Sequence, residues 1–463
     1  MTTTLVMEAP HHRFKNTDNV TIELQDLPTV SSTSPHPEDL DEDAYPDGGV
    51  RAYLVVLGSF FGLIVNLGLI NGIGAIQAYV SLHQMANVSE FSIAWIFSVY
   101  LCLAYSFGIF VGPAFDRYGT FSLLVISTAL IFLGLMGAAL LTEIWHFILS
   151  FISMGIGNGV GMTPLIGVIN HWFLKKRGYC TGLATSGGSV GGLIFPLMLR
   201  SLYENVGFAW ALRTLAFFCL GCMGLAMVLV KERIRRSKPT NELSHLEEDE
   251  QTKLNKLKNK RKFNLGALKD SRYLFLIAGA FFAELSLVLA LTYFASYAIA
   301  AGNSESTSYL LLTLWNAVGT FGRWLPGLVS DYYGRFNINI LMLLGLNIAF
   351  LVMWLPFGHN IALLYAFSII GGFFLGSVLS MVPSCLSQIT KVDEFGERYG
   401  TLNFALSIGN LVGIPIGASI INHGKLVEYD RFVVLVGILS LAGTFFWTCS
   451  RIKVAGFTIM KKV

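Results

Sequence analysis

Stretches of about 20 mainly apolar residues, separated by short polar segments, recur along the chain from residue 52 onward. A helix of that length crosses the roughly 30 Å of hydrocarbon in a bilayer. The pattern therefore predicts an all-α integral membrane protein with 12 transmembrane helices in two groups of six. Their expected ranges are about 52–75, 91–111, 121–141, 146–169, 179–200 and 208–230, then 273–299, 308–328, 338–357, 361–382, 400–421 and 432–450.

Polar segments flank and separate the two groups of expected helices. Residues 1–50 contain an acidic run and too little apolar surface to offset the entropy of ordering, so we expect a disordered cytoplasmic tail. Residues 231–272 are rich in lysine and arginine and are expected to form a basic cytoplasmic linker, and 451–463 a short cytoplasmic tail. The two six-helix bundles are then expected at 51–230 and 273–450.

The composition excludes several classes of protein. Hydrophobic residues make up 54% of the 463 residues and charged residues only 13%, about half of the roughly 25% that is usual in soluble domains. A soluble globule, a nucleic-acid-binding protein or a disordered chain would carry more charge. The six cysteines lie mostly inside apolar runs without paired metal-ligand spacing, so we expect no disulfide framework, no metal site and no cofactor.

The basic residues are distributed unevenly between alternate loops. If the N-terminus lies in the cytoplasm, most positive charges fall in cytoplasmic segments, as is typical of membrane proteins. The expected external loops contain only Arg200, Lys425 and Arg431. We therefore expect an even number of spans and both termini in the cytoplasm. Besides the linker and the C-terminal tail, the expected cytoplasmic charges are Arg117, Lys175, Lys176, Arg177, Arg335, Lys391 and Arg398.

Two sequence patterns occur once in each half of the chain. A Gly-x-x-x-Asp-x-x-Gly pattern follows the second expected span at 112–119 and the eighth at 327–334. The glycine-rich segment 177–192 recurs at 398–413, and both repeats are offset by a little over 210 residues. The offsets predict two related halves in parallel orientation, a pattern typical of secondary transporters that bind solute between their halves. The glycines themselves predict close packing of neighbouring helices.

The aspartates of the first pattern are candidates for a cytoplasmic gate. A carboxylate at a helix end can accept hydrogen bonds from the start of a neighbouring helix or from an arginine. We expect Asp116 with Arg117, and Asp331 with Arg335, to hold the cytoplasmic helix ends together in one conformation. The alternative is that these residues only flank the ends of their own helices. The occurrence of the motif at equivalent positions of both halves favours the gate.

The Gly-x-x-x-Asp-x-x-Gly pattern resembles the signature of the major facilitator superfamily. Other segments are similar to the monocarboxylate porter family, and in particular to its fungal homologues, the group that includes yeast riboflavin transporters. The resemblance extends over roughly residues 45–460. The segments that carry it are Tyr45–Gly49, Trp172–Gly182, Gly187–Pro196, Arg323–Gly327 and Glu394–Tyr399.

This resemblance implies the major facilitator fold and a secondary transporter that moves a small organic solute by alternating access, without ATP. Riboflavin and a monocarboxylate are the candidate solutes, and a proton is a candidate coupled ion. We expect a monomer in the plasma membrane, with an internal membrane as the alternative location. A non-transporting sensor or receptor of the same fold is the alternative function. An enzyme is disfavoured because the histidines are scattered over span ends and loops.

Two charged residues inside expected spans stand out, Glu284 and Arg323, because an ionised side chain at the bilayer centre costs about 2.5–3.5 kcal/mol and usually serves a site. Glu284 lies about 16 Å, and Arg323 about 7 Å, from the cytoplasmic ends of their spans at 1.5 Å per residue. They could form a direct pair, or two groups bridged by water or solute. The resemblance implies that Arg323 binds a carboxylate or another electron-rich group, and the alternative is an arginine that extends to the interface. Glu284 is the candidate for proton coupling, or a carboxylate that Arg323 neutralises.

The chain departs from the porter family at two positions that the resemblance links to proton coupling. Gly319 stands where the animal porters have an aspartate, and Asn71 where they have a lysine. Lactate–proton symport is therefore not implied. Asn316 lies two helical turns before Arg323 on the same face, and Asn66 adds a further amide. Together with Asn71, these amides predict a binding site for a polar, neutral or weakly anionic solute.

Overall fold

The computed structural model describes residues 45–85, 88, 90–140, 144–233, 265–421 and 425–458. Most of the predicted N-terminal tail and of the basic linker, and the last five residues, lie outside this part of the chain. Within it the secondary structure is helical, and no strand occurs among these residues. Below, residues 45–233 are called the first half and residues 265–458 the second half.

Helices follow one another with short connections in both halves. The first half contains α1 (Val50–Leu82), α2 (Glu90–Ser106), α3 (Gly108–Tyr118), α4 (Phe121–Ala139), α5 (Ile144–Gly167) and α6 (Arg177–Leu229). The second half contains α7 (Ser271–Ala300), α8 (Glu305–Tyr333), α9 (Arg335–Ile348), α10 (Ile361–Gln388), α11 (Phe395–Ile421) and α12 (Leu426–Ala455). A π-helical segment, Ala349–Trp354, continues α9.

Each of the expected spans falls on helical residues, although some ranges cover more than one helical segment. α2 and α3 meet at Phe107 and together occupy the second expected range. α6 consists of two helical parts, 177–206 and 208–229, which match the fifth and sixth ranges; they are separated by Gly207, whose φ is +78° and whose backbone is not helical. Most of the helices extend beyond the expected ranges at their polar ends, where apolar content alone gives no signal.

The helices suit a membrane in both length and composition. Among the described residues, 10 helices are long and apolar enough to cross a bilayer. α6 counts once among them although it holds two expected spans, and α8, which carries Arg323, is not included. In hydrocarbon a helix is favoured because it satisfies its own backbone hydrogen bonds. The number of crossings and the side on which each chain end lies stay predictions.

The Gly-x-x-x-Asp-x-x-Gly segments are mostly helical. Most of each motif forms the last turns of a helix, so that Asp116 lies in α3 and Asp331 in α8. Only the final glycines, Gly119 and Gly334, leave the helix, with φ of +90° and +99°. A residue that ends a helix in this left-handed region is favourably glycine, because a Cβ would clash with the backbone. The aspartates therefore project from rigid helix ends.

The two halves meet where glycines remove side chains from the contact. A Cβ added to Gly182 of α6 would overlap the carbonyl oxygen of Arg323 in α8. A Cβ added to Gly112 of α3 would overlap the carbonyl oxygen of Gly396 in α11. Backbone therefore packs directly on backbone across the interface, as small residues allow between helices in lipid. The packing expected of the glycine-rich segment is confirmed.

Gly182→Ala is expected to lower the thermal stability of the purified protein. The added methyl group overlaps Arg323, and overpacking of this kind costs about 1–3 kcal/mol. Gly221→Ala is the matched control, a helical glycine beyond the break at Gly207, because no heavy atom lies within 4 Å of its added Cβ. We expect that control to melt at the same or a higher temperature, since alanine favours a helix over glycine. Equal melting temperatures of the two variants would contradict this packing.

Candidate solute-binding site and gate

A small cavity of about 50 Å³ lies between the two halves. A water molecule requires about 10–15 Å³ of such space, so the cavity has room for a few waters and none for an organic solute. Most of its lining is aliphatic. The polar residues that line it are Tyr105 and Thr185 from the first half and Glu284, Arg323, Tyr399 and Asn403 from the second half.

Arg323 occupies the interface between the halves. Its side chain is buried with 3% exposure, and its Nη1 donates a hydrogen bond of 3.1 Å to the Thr185 carbonyl oxygen in α6. Its Nε has no partner among the described residues. This placement contradicts the alternative in which the Arg323 side chain extends to the membrane surface. The guanidinium instead crosses from one half to the other and keeps an unused donor.

Glu284 reaches the same cavity from α7 but forms no ion pair with Arg323 within the described part of the chain. The carboxylate is buried and has Tyr105 and Asn410 as its polar neighbours. Its Oε1 accepts no hydrogen bond from any described residue. Tyr105 also lies near enough to Arg323 to interact with its charge. Of the two expected arrangements, the structure has the one without a direct ion pair: Glu284 and Arg323 are separate, and the Tyr105 phenol lies near both.

The two amides Asn71 and Asn316 do not line this cavity. The Asn71 Nδ2 donates to the Gly188 carbonyl oxygen at 3.0 Å. Both side chains flank Gly192 of α6, because a Cβ built there would contact the Asn71 Cβ and approach the Asn316 Oδ1 to 3.5 Å. Asn316 precedes Arg323 by seven residues, a rise of about 10 Å along α8. These two amides therefore lie together at a second polar position, about 10 Å from Arg323 along α8 in the direction of the start of that helix.

Asn66, the remaining predicted site residue, does not lie at the cavity. It is fully buried within the first half, where its Nδ2 donates to the Gly62 carbonyl oxygen at 3.0 Å and contacts the Met223 sulfur at 3.6 Å. Its Oδ1 faces Gly161 and has no hydrogen-bond partner among the described residues. The side chain points away from the second half, an orientation that the position along α1 alone did not reveal.

Two aspartates connect the halves at the predicted cytoplasmic end. Asp116 accepts hydrogen bonds from the backbone N–H groups of Gly396 and Glu397, at 3.0 and 2.7 Å. We call this contact the Asp116 closure. The first N–H groups of a helix have no partner within it, and the helix dipole favours a negative charge beside them. A carboxylate of one half thus caps α11 of the other.

Asp331 makes the equivalent contact in the opposite direction. It accepts from the N–H groups of Gly178 and Tyr179 at the start of α6, both at 2.8 Å. Arg335 pairs with Asp331 at 3.2 Å and donates to the Leu174 carbonyl oxygen at 2.7 Å. We call this set of contacts the Asp331 closure. The predicted pairing of Asp331 with Arg335 is present.

Arg117 takes no part in the Asp116 closure. Its side chain is exposed, and its guanidinium lies 5.3 Å from the centre of the Tyr118 ring. It forms no hydrogen bond or ion pair with any residue that the structure describes. The expectation that Asp116 would work with Arg117 is therefore wrong. Adjacent residues in a helix point in different directions, so a charge next in sequence is not a neighbour in space.

Sequence reasoning missed the residues that complete the site. Tyr399, Asn403 and Asn410 are buried on α11 at helical spacing, so the polar stripe on this apolar helix was a usable signal. Tyr105 gave no comparable signal, because a single tyrosine in an apolar span more often packs in the core or sits at the membrane interface. Its importance follows from its contact with Glu284.

Asn66→Leu is expected to unfold at the same or a higher temperature than the wild type. The change replaces a buried amide by an apolar group of similar size, and a buried polar atom without a partner costs about 1–3 kcal/mol. Asn66→Asp is the control, since it buries a charge at the same place and is expected to destabilise strongly. A large loss of stability in Asn66→Leu would show that the Asn66 Oδ1 has a polar partner, or that the hydrogen bond from its Nδ2 to the Gly62 carbonyl oxygen matters for stability.

Comparison with known proteins identifies the family. The Major Facilitator Superfamily model matches residues 54–358. The riboflavin transporter MCH5 of Saccharomyces cerevisiae is 39% identical over 457 residues, which cover 96% of this chain and 87% of that protein. MFS-type transporter 1 of an Ophiocordyceps species is 32% identical, with 94% and 92% covered. The expected resemblance to the fungal group with riboflavin transporters is thus confirmed.

A solved structure agrees with this assignment at the level of the fold. The human organic anion transporter MFSD10 superimposes with a TM-score of 0.69 at 16% identity, over 86% of this chain and 99% of that one. At such low identity the likeness concerns the fold alone. With the sequence match over most of the chain, it follows that the chain is a multi-pass membrane protein that belongs to the major facilitator superfamily of transporters.

Proposed function

We propose that the chain is a secondary transporter that moves a small organic solute by alternating access between its two halves. The observation that carries the proposal is the buried Arg323, which bonds to the Thr185 carbonyl oxygen of the opposite half. A buried charge that crosses a mobile interface is expensive to maintain for packing alone. It is useful if the halves separate and a solute oxygen replaces the carbonyl oxygen as acceptor.

The small size of the cavity supports a cycle in which the site must expand before it binds solute. With both aspartate closures formed, the predicted cytoplasmic end is shut, and solute would enter from the opposite side. Separation of the halves at that side would free the Arg323 guanidinium and expose Tyr105, Tyr399 and Asn403 to the solute. Closure of that side and release of the aspartates would then open the cytoplasmic end.

Riboflavin or a compound of similar chemistry is the solute that we favour. The yeast relative, 39% identical over 96% of this chain, is a riboflavin transporter. The site offers an arginine, phenols and amides, which suit a planar heteroaromatic ring with carbonyl groups and a polyol side chain. A monocarboxylate is the second candidate, because Arg323 could bind a carboxylate in a bidentate manner. Gly319 and Asn71 weaken that candidate, since they replace charged residues of the animal porters.

Further parts of the proposal concern proton coupling, the oligomeric state and the membrane in which the protein lies. Glu284 has a carboxylate oxygen without a hydrogen-bond partner among the described residues, and it is the group that we propose for proton coupling. We propose that a monomer carries out transport, because each closure and the cavity are formed within one chain. The plasma membrane is our proposed location. A receptor of the same fold would bind solute without moving it.

Purified protein in liposomes is expected to take up radiolabelled riboflavin, and Arg323→Ala is expected to reduce the uptake. A hydrogen bond to a charged group contributes about 1.5–3 kcal/mol, so we expect a loss of roughly one to two orders of magnitude in kcat/KM. Arg213→Ala is the control, because that arginine lies over the Trp210 ring and does not line the cavity.

The outcomes of this experiment separate the candidate functions. Uptake of lactate in place of riboflavin would favour the monocarboxylate. Riboflavin binding without uptake would favour the receptor. Full riboflavin uptake by Arg323→Ala, at equal protein content in the liposomes, would reject Arg323 as the binding residue.

Glu284→Gln is expected to abolish the response of uptake to a pH gradient. In the wild type, an acidic exterior should accelerate solute entry, because a proton on Glu284 would cross with the solute. The variant should still exchange labelled for unlabelled solute, since exchange requires no net proton movement. Glu204→Gln is the control, because Glu204 is exposed on α6 away from the cavity. A wild type that ignores the gradient would instead indicate facilitated diffusion.

A further inference from the structure

Asn71 and Asn316 approach each other from opposite halves of the protein. Asn71 belongs to α1 and Asn316 to α8, and both lie next to Gly192 of α6. The Asn71 Cγ lies 3.6 Å, and the Asn316 Oδ1 3.5 Å, from the position that a Cβ would take on Gly192. We call these two residues the amide pair. Because Gly192 has no side chain, both amides border the same small region between the halves.

Backbone hydrogen bonds fix the orientation of both amides. The Asn71 Nδ2 donates to the Gly188 carbonyl oxygen at 3.0 Å, and the Asn316 Nδ2 donates to the Leu312 carbonyl oxygen at 3.2 Å. A flipped amide would place its own oxygen against that carbonyl oxygen, and two acceptors do not bond. In each side chain the Oδ1 is therefore the atom that remains for another partner, and an amide oxygen only accepts hydrogen bonds.

Both oxygen atoms are open to a partner. No residue in the described part of the chain donates to either Oδ1. Both side chains are half-buried, and neither Oδ1 is among the atoms that are fully buried without a partner. Arg323, seven residues further along α8, offers the opposite chemistry, because a guanidinium only donates. The interface thus has two acceptors at one level and a donor about 10 Å away.

From these contacts we infer that the amide pair selects solutes that carry a chain of hydroxyl groups at the end away from Arg323. Hydroxyl groups can donate to both Oδ1 atoms, whereas a carboxylate or a ring carbonyl only accepts and is disfavoured there. The class of solute is elongated, with an electron-rich group for Arg323 and a polyol chain for the amide pair. The inference rests on the proposed transport function and deepens it, because it assigns a position to each end of the solute.

The amide pair lies on the side from which solute would enter. Along α8, Asn316 comes seven residues before Arg323, and Asp331 of the Asp331 closure comes eight residues after it. With both closures formed, the open side is the side of the amide pair. A polyol chain that bonds to Asn71 and Asn316 would link the halves there. Because such a chain binds the closed arrangement better than the open one, it would favour closure around the solute.

Binding of matched ligands to the purified protein in lipid nanodiscs tests this selection. Riboflavin is compared with lumiflavin, which keeps the ring system but has a methyl group in place of the ribityl chain. Gluconate is compared with hexanoate, which keeps the carboxylate and the six carbons but lacks the hydroxyl groups. A hydrogen bond between neutral groups is worth about two- to tenfold in affinity. We therefore expect at least about fivefold tighter binding of the hydroxylated ligand within a pair.

Variants show whether the amide pair causes this preference. Asn71→Leu and Asn316→Leu are each expected to weaken binding of the hydroxylated ligand about two- to tenfold, and to change binding of its partner ligand less than about twofold. Asn205→Leu is the matched control, because the Asn205 Nδ2 also donates to the carbonyl oxygen four residues earlier, but this residue is exposed and does not line the cavity. Arg323→Ala should weaken both ligands of a pair.

Retained binding of lumiflavin or hexanoate shows that a variant is folded. Asn71→Ala and Asn316→Ala are second variants, which remove the same acceptors with a smaller side chain. Equal weakening of both ligands of a pair, in the leucine and the alanine variants alike, would mean that the amides serve the structure only. That result, or an unchanged preference in these variants, would overturn the inference.

The results also separate this inference from the proposed function. If gluconate binds more tightly than hexanoate and riboflavin does not bind, riboflavin is the wrong solute and the amide pair stands. If riboflavin enters liposomes but binds no more tightly than lumiflavin, the transport function stands and selection by the amide pair is overturned. A wild type that binds none of the four ligands would overturn both the selection of hydroxyl groups and riboflavin as the solute.

Discussion

Backbone N–H groups that have no partner inside their own helices hold the two halves of this transporter together. The first turn of any helix leaves such groups, and in a membrane protein they are costly when neither water nor a side chain satisfies them. Here the starts of α6 and α11 are satisfied by aspartates of the opposite half. Because the partners of these groups lie across the interface, any separation of the halves at this end would release the groups to water.

The need of buried polar groups for hydrogen-bond partners also explains the arrangement around Arg323. Arg323 is buried away from bulk solvent, and it bonds to a carbonyl oxygen of the other half. Glu284 is not close enough to neutralise it, and Tyr105 lies near both charges. Two charges kept apart in a cavity of about 50 Å³ have incomplete hydrogen bonding in the closed form. In the proposed cycle, a solute that enters an expanded cavity would complete this hydrogen bonding, and binding would be linked to movement of the halves.

Part of the site could be predicted from the chain, and part could not. A charge in an apolar span is rare enough to be informative, so Glu284 and Arg323 were found at once. The repeated aspartates were found through their equivalent positions. Asn66 and Arg117 were wrongly expected at the site and the gate, because an amide or a charge on a helix has no defined direction until its neighbours are known. Asn403 and Asn410 escaped attention for the same reason, although their spacing on α11 marks one face.

The sequence by itself determined the helical membrane architecture, the relation between the halves and the presence of buried charge. These properties depend on composition and on repeats along the chain, and hydrocarbon permits few backbone structures other than helices. Only the tertiary structure decided which groups meet: that Asp116 caps α11 rather than pairing with Arg117, and that Arg177 crosses to α10 while Arg398 does not. The reason is that hydrogen bonds act over about 3 Å, and the rotation of each helix about its axis, which sets such distances, is fixed by packing against all its neighbours.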